Sequence, residues 1–297
     1  MPGSSRAVPA TAAKPRDQAR AKSFGLLGAI EKLIPGDWLK TTFYLKCIAA
    51  PRRALRNAAS SFYRMDHVYS VLREFHARYR GPFSVLEFGT AKGYAFSKML
   101  YATRYLGIEN EVTIHAFDSF EGLRPPDDAK EKGLISNDWH AGEFLGDERD
   151  ILKHCDSRGY KNYQIHKGYF ENTLTPEAIE QFRNAPPILI WVDCDYYSST
   201  RTIFERLLPV LRTGCVIYFD DYDFNFGSRY TGEARLVWEL NRGDFGAVEL
   251  VRDRELSWDS DRIYRFIRFD EAAPQFDAFV PAWTGQARAI TNGSPLP

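Results

Sequence analysis

Cysteine is scarce in this sequence of 297 residues, which contains only Cys47, Cys155, Cys194 and Cys215. None of the four belongs to a CxxC or CxxH pair, the spacing at which structural zinc sites recur. Cys194 and Cys215 lie in or beside two very apolar runs, where a thiol behaves as a small core residue. The sequence therefore argues against a zinc or disulfide framework and predicts a reducing compartment.

Long apolar runs are absent too. No stretch reaches 18 apolar residues, so no transmembrane segment is predicted. Up to about residue 22, Ala, Pro, Ser and basic residues dominate, without the apolar core of a signal peptide. We expect this basic tail, residues 1–22, to be disordered, and a cytoplasmic location is the simplest interpretation.

The chain has no net charge, since 39 basic residues balance 39 acidic ones. The charges are unevenly distributed: residues 1–56 contain eleven Lys or Arg and three Asp or Glu, so the remainder is acidic. The first 22 residues of this basic arm are rich in Pro and Ala and contain no aromatic residue. Such an arm on an acidic body argues against a nucleic-acid partner.

The segment 23–80 shows apolar residues at three-to-four spacing, which predicts several short helices, including an amphipathic one over residues 66–80. We expect this helical region to cap a crevice or to form a dimer contact. A basic amphipathic element on a membrane surface, making peripheral contact only, is the alternative.

From residue 81 to residue 270, β-branched and aromatic runs alternate with helical patterns. This alternation predicts an α/β fold with a doubly wound, mostly parallel seven-stranded sheet, followed by an extended tail over 271–297. The predicted strands are SVLEF (84–88), VTIHAF (112–117), YQIHK (163–167), ILIWV (188–192), CVIYF (215–219), AVELV (247–251) and IYRFIRF (263–269).

Four carboxylates follow two of these strands. Asp193 and Asp195 come directly after ILIWV, and Asp220 and Asp221 come directly after CVIYF. The intervening length suits one crossover helix, so the strands should be neighbours whose carboxyl ends face one crevice. Four acids so close together repel each other, which favours a hard divalent cation such as Mg²⁺ between them. Ordinary helix caps and turn residues are the structural alternative.

A glycine turn follows the first strand of this region. Glu87, Gly89 and Gly93 form E-x-G-x-x-x-G, which differs from the G-x-G-x-x-G of dinucleotide sites. An acid on the strand suits a ligand amino group, and the exposed amides of the turn suit its carboxylate. Asp118 ends the next strand, where nucleotide-binding sheets hold a ribose diol. A nucleoside with an amino-acid tail, S-adenosylmethionine, fits both signals.

The order of the motifs LEFGTAKG, FDSFEGLRPP, DWHAGEF, HKGYFENTL, WVDCDYY and YFDDY resembles the macrocin O-methyltransferase family. Those enzymes methylate sugar hydroxyls of macrolide and aminocoumarin antibiotics. The resemblance covers about residues 83–269, and it implies a class I methyltransferase fold that uses S-adenosylmethionine and Mg²⁺. It also implies a small-molecule or glycan acceptor and a homo-oligomer, with a dimer favoured.

The resemblance assigns roles to individual residues. It implies Asp193, Asp220 and Asp221 as metal ligands and Asp195 as the general base. The implied contacts to the cofactor are Glu87, Gly89, Thr90, Gly93, Asp118, Ser119, Gly168, Tyr169, Phe170 and Asp193. The chemistry expected is metal-dependent methylation of one hydroxyl of a vicinal diol.

The connection over residues 124–150 is long for a compact domain, and such loops often act as lids. We therefore expect it to cover cofactor and acceptor, with a passive insertion as the alternative. His140 in this loop is interpreted as a packed or surface residue, with a contact to the substrate as the alternative. His115 and His166, within strands, are interpreted as structural.

Other functions remain open at this point. A catechol methyltransferase would use the same metal and cofactor, so only acceptor profiling separates it. A nicotinamide-dependent oxidoreductase is disfavoured because the third glycine of the fingerprint is missing. A non-catalytic scaffold would have little reason to keep four mutually repelling carboxylates.

Overall fold

The computed structural model describes residues 67–127, 131, 139–256 and 262–269, together with scattered positions between 39 and 51. The chain divides into two units, residues 1–61 and 62–297, and every element below belongs to the second. The predicted tail over 1–22, most of the helical segment predicted before residue 67 and the tail over 271–297 lie outside the described residues.

The strands coincide with the predicted apolar runs to within one residue at each end. They are β1 (Phe83–Phe88), β2 (Val112–Asp118), β3 (Tyr163–Lys167), β4 (Pro187–Val192), β5 (Val216–Phe219), β6 (Val248–Arg252) and β7 (Ile263–Arg268). They form one sheet in the order β3-β2-β1-β4-β5-β7-β6. Strands β1 to β5 pair in parallel, and β7 runs antiparallel to β5 and β6. This confirms the predicted seven-stranded, mostly parallel α/β sheet.

Helices connect the parallel strands. They are α1 (67–78), α2 (Tyr94–Leu106), α3 (Glu148–Arg158), α4 (Phe170–Thr173), α5 (Pro176–Asn184), α6 (Tyr197–Leu207) and α7 (Gly232–Arg242). In α1 the buried positions Val68, Val71, Leu72 and Phe75 recur at helical spacing, which confirms the predicted amphipathic helix. None of the described helices is both long and apolar enough to cross a membrane.

Helix α3 was not predicted from the sequence. Only Ile151 and Cys155 are buried on it, one turn apart, and the rest of its surface is polar, so the apolar stripe is weak. Its start is fixed locally instead, because the Asp147 side chain accepts a hydrogen bond of 2.9 Å from the Arg149 amide.

Both faces of the sheet are covered, which explains the unbroken apolar runs. Val85 and Trp191 belong to the hydrophobic core on one face, whereas Leu86 and Ile190 belong to the core on the other. Every residue of β1, β4 and β5 is buried. Strands buried on two sides lose the alternation of polar and apolar residues that marks a half-exposed strand.

The register of the central strands places their carboxyl ends side by side. Phe88 pairs with both Phe117 and Val192, and Val192 also pairs with Phe219. The residues that follow β1, β2, β4 and β5 therefore meet at one edge of the sheet, where ligands bind in folds of this kind.

Candidate active site

A cavity of about 970 Å³ opens along the carboxyl ends of the parallel strands. This volume lies near the upper end of the range for ligand pockets, and it leaves room for a nucleoside-sized ligand and a second molecule. Most of the site residues predicted from the sequence line it: Glu87, Gly89, Thr90, Asp118, Ser119, Gly168, Tyr169, Phe170, Asp193, Asp195, Asp220 and Asp221.

Gly93 is the predicted site residue that does not line this cavity. It precedes α2 with a φ of 74°, and a Cβ built there would lie 3.1 Å from Ile151 Cγ1 of α3. The left-handed backbone and the close packing of α3 account for a glycine at this position. Its contact with a cofactor stays a prediction.

Gly89 lets the backbone after β1 pack against the backbone after β4. Its φ is 89°, and a Cβ built on it would lie 1.7 Å from the carbonyl oxygen of Asp193. The Asp193 amide in turn donates to the Phe88 carbonyl over 2.8 Å. Only glycine fits this junction. The backbone of the glycine turn therefore packs directly against the backbone of Asp193, the first residue of the predicted metal cluster.

Asp118 anchors the glycine turn. Its Oδ2 accepts a hydrogen bond of 2.7 Å from the Ala91 amide, and its Oδ1 accepts one of 2.6 Å from the Phe120 amide. The carboxylate thus fixes the turn after β1 and its own turn after β2. Each carboxylate oxygen has a second lone pair, so these bonds leave Asp118 able to accept a hydroxyl from a ligand in the cavity.

Glu87 is a buried carboxyl in the wall of the cavity. Its side chain is 1% exposed, and burial raises its pKa to about 8, with a smaller contribution from the charge of Asp118. Among the described residues Glu87 Oε2 has no hydrogen-bond partner. A cationic ligand group at this position would pair with the carboxylate and lower its pKa.

Tyr169 and Phe170 form the wall beyond β3, and charged residues fix Tyr169 in place. The Tyr169 hydroxyl donates to Glu121 over 2.6 Å, and the Arg124 guanidinium lies 3.8 Å from the centre of the tyrosine ring. Arg124 also pairs with Glu171 over 2.8 Å. The loop after β2 and the start of α4 are thereby joined at the rim of the cavity.

Asp193, Asp220 and Asp221 converge after β4 and β5. One carboxylate oxygen of each lies within 4.8 Å of the others. Burial raises the pKa of Asp193 well above its usual value, and the charges of Asp220 and Asp221 raise it further. Three hard oxygen donors at this separation, in a site that disfavours their negative charge, are suited to hold a divalent cation.

Asp195 also lines this cavity, but a tight turn places it there and not the alternation of side chains along a strand. The sequence suggests that strand alternation directs Asp193 and Asp195 to one side, yet β4 ends at Val192. Asp195 instead adopts a φ of 62° in a tight turn closed by a 2.7 Å bond from the Tyr196 amide to the Cys194 carbonyl. Burial, together with the charges of Asp221 and Asp220, raises its pKa to about 8.

Three further residues support the carboxylate cluster, and sequence reasoning missed them. The Tyr218 hydroxyl donates to Asp220 Oδ1 over 3.0 Å, and Glu233 Oε2 accepts the Asp221 amide over 3.0 Å. Arg262 donates to the Asp220 carbonyl and to Asp223 Oδ2. Glu233 resembles an ordinary acid in the first turn of a helix, so nothing in its sequence context distinguishes it.

An aromatic wall flanks the carboxylates. Trp139 lines the cavity and stacks on Phe224 with ring centres 4.5 Å apart, and Tyr196 meets both rings edge-on. Phe144 completes this wall and is 54% exposed. Of these rings, Trp139 and Phe144 line the cavity and offer an apolar surface beside a charged cluster, which suits a ring that carries hydroxyl groups.

The histidines lie apart from this chemistry in the described part of the chain. His140 has an 80% exposed side chain and pairs with Glu143 over 3.3 Å. His115 and His166 are 3.1 Å apart within the sheet, and burial lowers the pKa of both. None of the three lines the cavity.

Comparison with known proteins agrees with this arrangement. Residues 86–222 match a family described as a methyltransferase domain. The O-methyltransferase NovP is 19% identical, with 70% of this chain and 80% of NovP covered and a TM-score of 0.51. The calicheamicin methyltransferase CalS11 is 16% identical, with 91% of this chain and 100% of CalS11 covered and a TM-score of 0.50. No curated protein sequence matches the chain significantly.

The sheet order, the cavity at its carboxyl edge and the matched domain together define the class I methyltransferase fold. The chain contains a methyltransferase domain over residues 86–222, and such a domain implies S-adenosylmethionine as methyl donor. The domain match supports the methyltransferase part of the resemblance seen in the sequence, and the two solved structures show the same fold.

The junction at Gly89 predicts a large effect of one methyl group. In Gly89→Ala the new Cβ meets the Asp193 carbonyl and also strains the positive φ. The strain costs about 1–2 kcal/mol of unfolding free energy, and the overlap about 1–3 kcal/mol more. The control is Gly107→Ala, where φ is 69° and nothing lies within 4 Å of the new Cβ, so backbone strain alone lowers its stability. Equal losses in urea unfolding would contradict this account of the junction.

The buried carboxyl of Glu87 predicts a pH-dependent stability. Between its usual pKa of 4.5 and its folded value of about 8, the folded protein keeps a proton that the unfolded chain has lost. Raising the pH through this window therefore lowers the unfolding free energy, by up to about 1.4 kcal/mol per pH unit. Glu87→Gln lacks this contribution, so its stability should rise relative to wild type from pH 5 to pH 8. A constant difference over this range in urea unfolding would show that Glu87 titrates normally.

Proposed function

We propose that this methyltransferase transfers the methyl group of S-adenosylmethionine to a hydroxyl group of a sugar, on a small molecule or a glycan, with the help of Mg²⁺. The strongest support is that a single cavity contains the glycine turn after β1 and the carboxylate cluster after β4 and β5. Gly89 and Asp193 join these two halves through their backbones, so a cofactor and an acceptor would lie next to each other.

The cofactor half suits S-adenosylmethionine. Glu87 would pair with its amino group, the amides of the turn with its carboxylate, and Asp118 with its ribose. Tyr169 and Phe170 form the wall that an adenine ring would contact. When bound, the cofactor supplies a sulfonium methyl group, and these residues hold it in one orientation. Such positioning can contribute about 7–11 kcal/mol to the reaction.

Asp193, Asp220 and Asp221 would hold Mg²⁺. Their oxygens fit its preference for hard ligands, and a cation would relieve the repulsion that raises the pKa of Asp193. When bound, Mg²⁺ supplies positive charge that makes a neighbouring hydroxyl group more acidic and fixes its direction. Tyr218 and Glu233 keep Asp220 and Asp221 in place through the hydrogen bonds described above.

Asp195 would act as the general base. It lines the cavity next to the three proposed ligands, yet it is not one of the three convergent carboxylates. It would accept the hydroxyl proton while the new carbon–oxygen bond forms and the carbon–sulfur bond breaks. A positioned base of this kind contributes typically 10²–10⁴-fold.

The acceptor half is bounded by Trp139 and Phe144, which line the cavity, and the buried rings of Phe224 and Tyr196 pack against Trp139. A pyranose ring has apolar CH faces and hydroxyl groups at its edge. With one face against Trp139, such a ring could direct two vicinal hydroxyl groups toward the carboxylates. The resemblance to the macrocin family also implies a sugar acceptor.

Titration of S-adenosylhomocysteine and of Mg²⁺ tests cofactor and metal binding together. Wild type and Asp220→Ala/Asp221→Ala should both bind S-adenosylhomocysteine, whereas the double variant should lose Mg²⁺ affinity by more than about 100-fold. The expected loss exceeds the 10–100-fold typical of outer-shell changes because two ligands are removed. Asp244→Ala, at a surface site remote from the cavity, is the control and should behave as wild type. A wild type that binds no S-adenosylhomocysteine in calorimetry would overturn the proposal.

Replacing Asp195 by Asn tests the general base. Turnover should fall by about 10²–10⁴-fold, while affinities for Mg²⁺ and S-adenosylhomocysteine stay within a few fold of wild type. The control is Asp127→Asn, which removes another carboxylate from the cavity wall and should leave turnover nearly unchanged. Turnover is measured on a panel of glycosides and catechols. Near-normal turnover of Asp195→Asn would contradict the assignment of Asp195 as the general base. Activity on catechols alone would refute the sugar acceptor.

A further inference from the structure

Glu131 is a buried carboxylate that plays no part in the site described so far. It is 0% exposed and does not line the cavity. Its Oε1 accepts two backbone hydrogen bonds, from the Tyr197 amide over 2.8 Å and from the Gly232 amide over 2.7 Å. Tyr197 is the first residue of α6 and Gly232 the first residue of α7, so one oxygen atom bridges the starts of two helices.

Both helices lack a side-chain cap of their own. The residues in the N-cap positions, Tyr196 of α6 and Thr231 of α7, make no capping hydrogen bond with their side chains. The first amides of a helix have no partner within the helix and carry a partial positive charge. A carboxylate that accepts two of them forms charge-assisted bonds, and here Glu131 provides these for both helices at once.

The two bridged points lie beside the reacting carboxylates. Helix α6 begins two residues after Asp195, and the second residue of α7 is Glu233, which accepts the Asp221 amide. A Cβ built on Gly232 would lie 3.3 Å from the Asp195 carbonyl oxygen, so the start of α7 packs directly on the Asp195 turn. The bridge therefore connects the loop that carries Asp195 with the helix that supports Asp221.

The Asp195 turn needs support from its surroundings. A non-glycine residue with a φ of 62° costs about 1–3 kcal/mol, and such a conformation persists only where neighbouring structure holds it. The Tyr197 side chain also joins the two helices through Glu239 and Arg235 of α7. Glu131 is the group that bonds to the first amides of both helices, so its loss removes support next to the Asp195 turn and favours its relaxation to a negative φ.

We infer that Glu131 is a positioning residue for Asp195 and Asp221. It holds the starts of α6 and α7 together so that both carboxylates face the same cavity. This inference deepens the proposed function, since those two carboxylates are its base and one of its metal ligands. A residue that only stabilised two helix ends would leave the geometry of the carboxylates unchanged, and experiment can separate these two roles.

Amide hydrogen exchange measured by NMR in the full-length apo protein separates the two roles without relying on activity. In Glu131→Ala we expect exchange at least tenfold faster at Tyr197 and Gly232, which lose their acceptor. Positioning also predicts at least tenfold faster exchange at Tyr196 and Asp221, whose amides bond to Cys194 and Glu233. Unchanged exchange at Tyr196 and Asp221 would overturn the inference and leave Glu131 as a helix cap only.

Matched variants sharpen the comparison. Glu131→Gln keeps an acceptor oxygen and should stay within about threefold of wild type at all four amides. Glu177→Ala removes an exposed acid from the first turn of α5 and should change none of them. If Glu131→Ala fails to fold, Glu131→Asp, one methylene shorter, should show the same pattern to a lesser degree, and wild-type exchange at Tyr196 and Asp221 would refute the inference.

Binding of Mn²⁺ alone, followed by electron paramagnetic resonance, provides the link to function. Glu131→Ala should bind Mn²⁺ about tenfold more weakly than wild type, the size expected for an outer-shell change. Equal affinity would contradict a positioning role. If wild type binds no Mn²⁺, the metal in the proposed function is wrong, and the exchange at Tyr196 and Asp221 still decides the role of Glu131.

Discussion

Repulsion between closely spaced carboxylates is the constraint on which the rest of the site depends. Two unit charges about 4 Å apart interact by about 4 kcal/mol at an effective dielectric constant of 20, and Asp193, Asp220 and Asp221 lie within 4.8 Å of one another. The hydrogen bond from Tyr218 to Asp220 and the positive charge of Arg262, 4.0 Å from Asp220 Oδ1, offset part of this cost. The loops after β4 and β5 are therefore shaped to keep together charges that would otherwise separate, which is the arrangement expected of a cation site.

The second constraint is the contact between the two halves of the crevice. The carbonyl oxygen of Asp193 occupies the space where a side chain on Gly89 would be. Asp118 holds the same turn from β2. The ends of β1, β2 and β4 thus meet at one short stretch of backbone. A displacement of any of these strands changes both the cofactor half of the cavity and the carboxylate cluster. Such coupling is what a reaction between two bound molecules requires.

The sequence predicts the sheet and the four aspartates well because both follow from local pattern. Continuous apolar runs define β4 and β5, and the topology of parallel sheets brings the residues after them together. Helix α3 escaped prediction because only Ile151 and Cys155 mark its buried side. The sequence also did not predict the roles of Glu131, Glu233 and Arg262. Each is an isolated polar residue whose partner belongs to another element or loop, at separations of 101 residues for Glu131 and Gly232, 42 for Arg262 and Asp220 and 12 for Glu233 and Asp221. Only the tertiary structure therefore shows their roles.

The stack of Trp139 on Phe224 brings together two segments that are far apart in the sequence. Trp139 belongs to the insertion between β2 and α3, whereas the carboxylates belong to the loops after β4 and β5. The proposed acceptor surface can therefore diverge by substitution or changes in length in the insertion without any change in the carboxylate loops. For protein engineering, residues 139–145 are the segment in which substitutions alter that surface and leave the four aspartates in place.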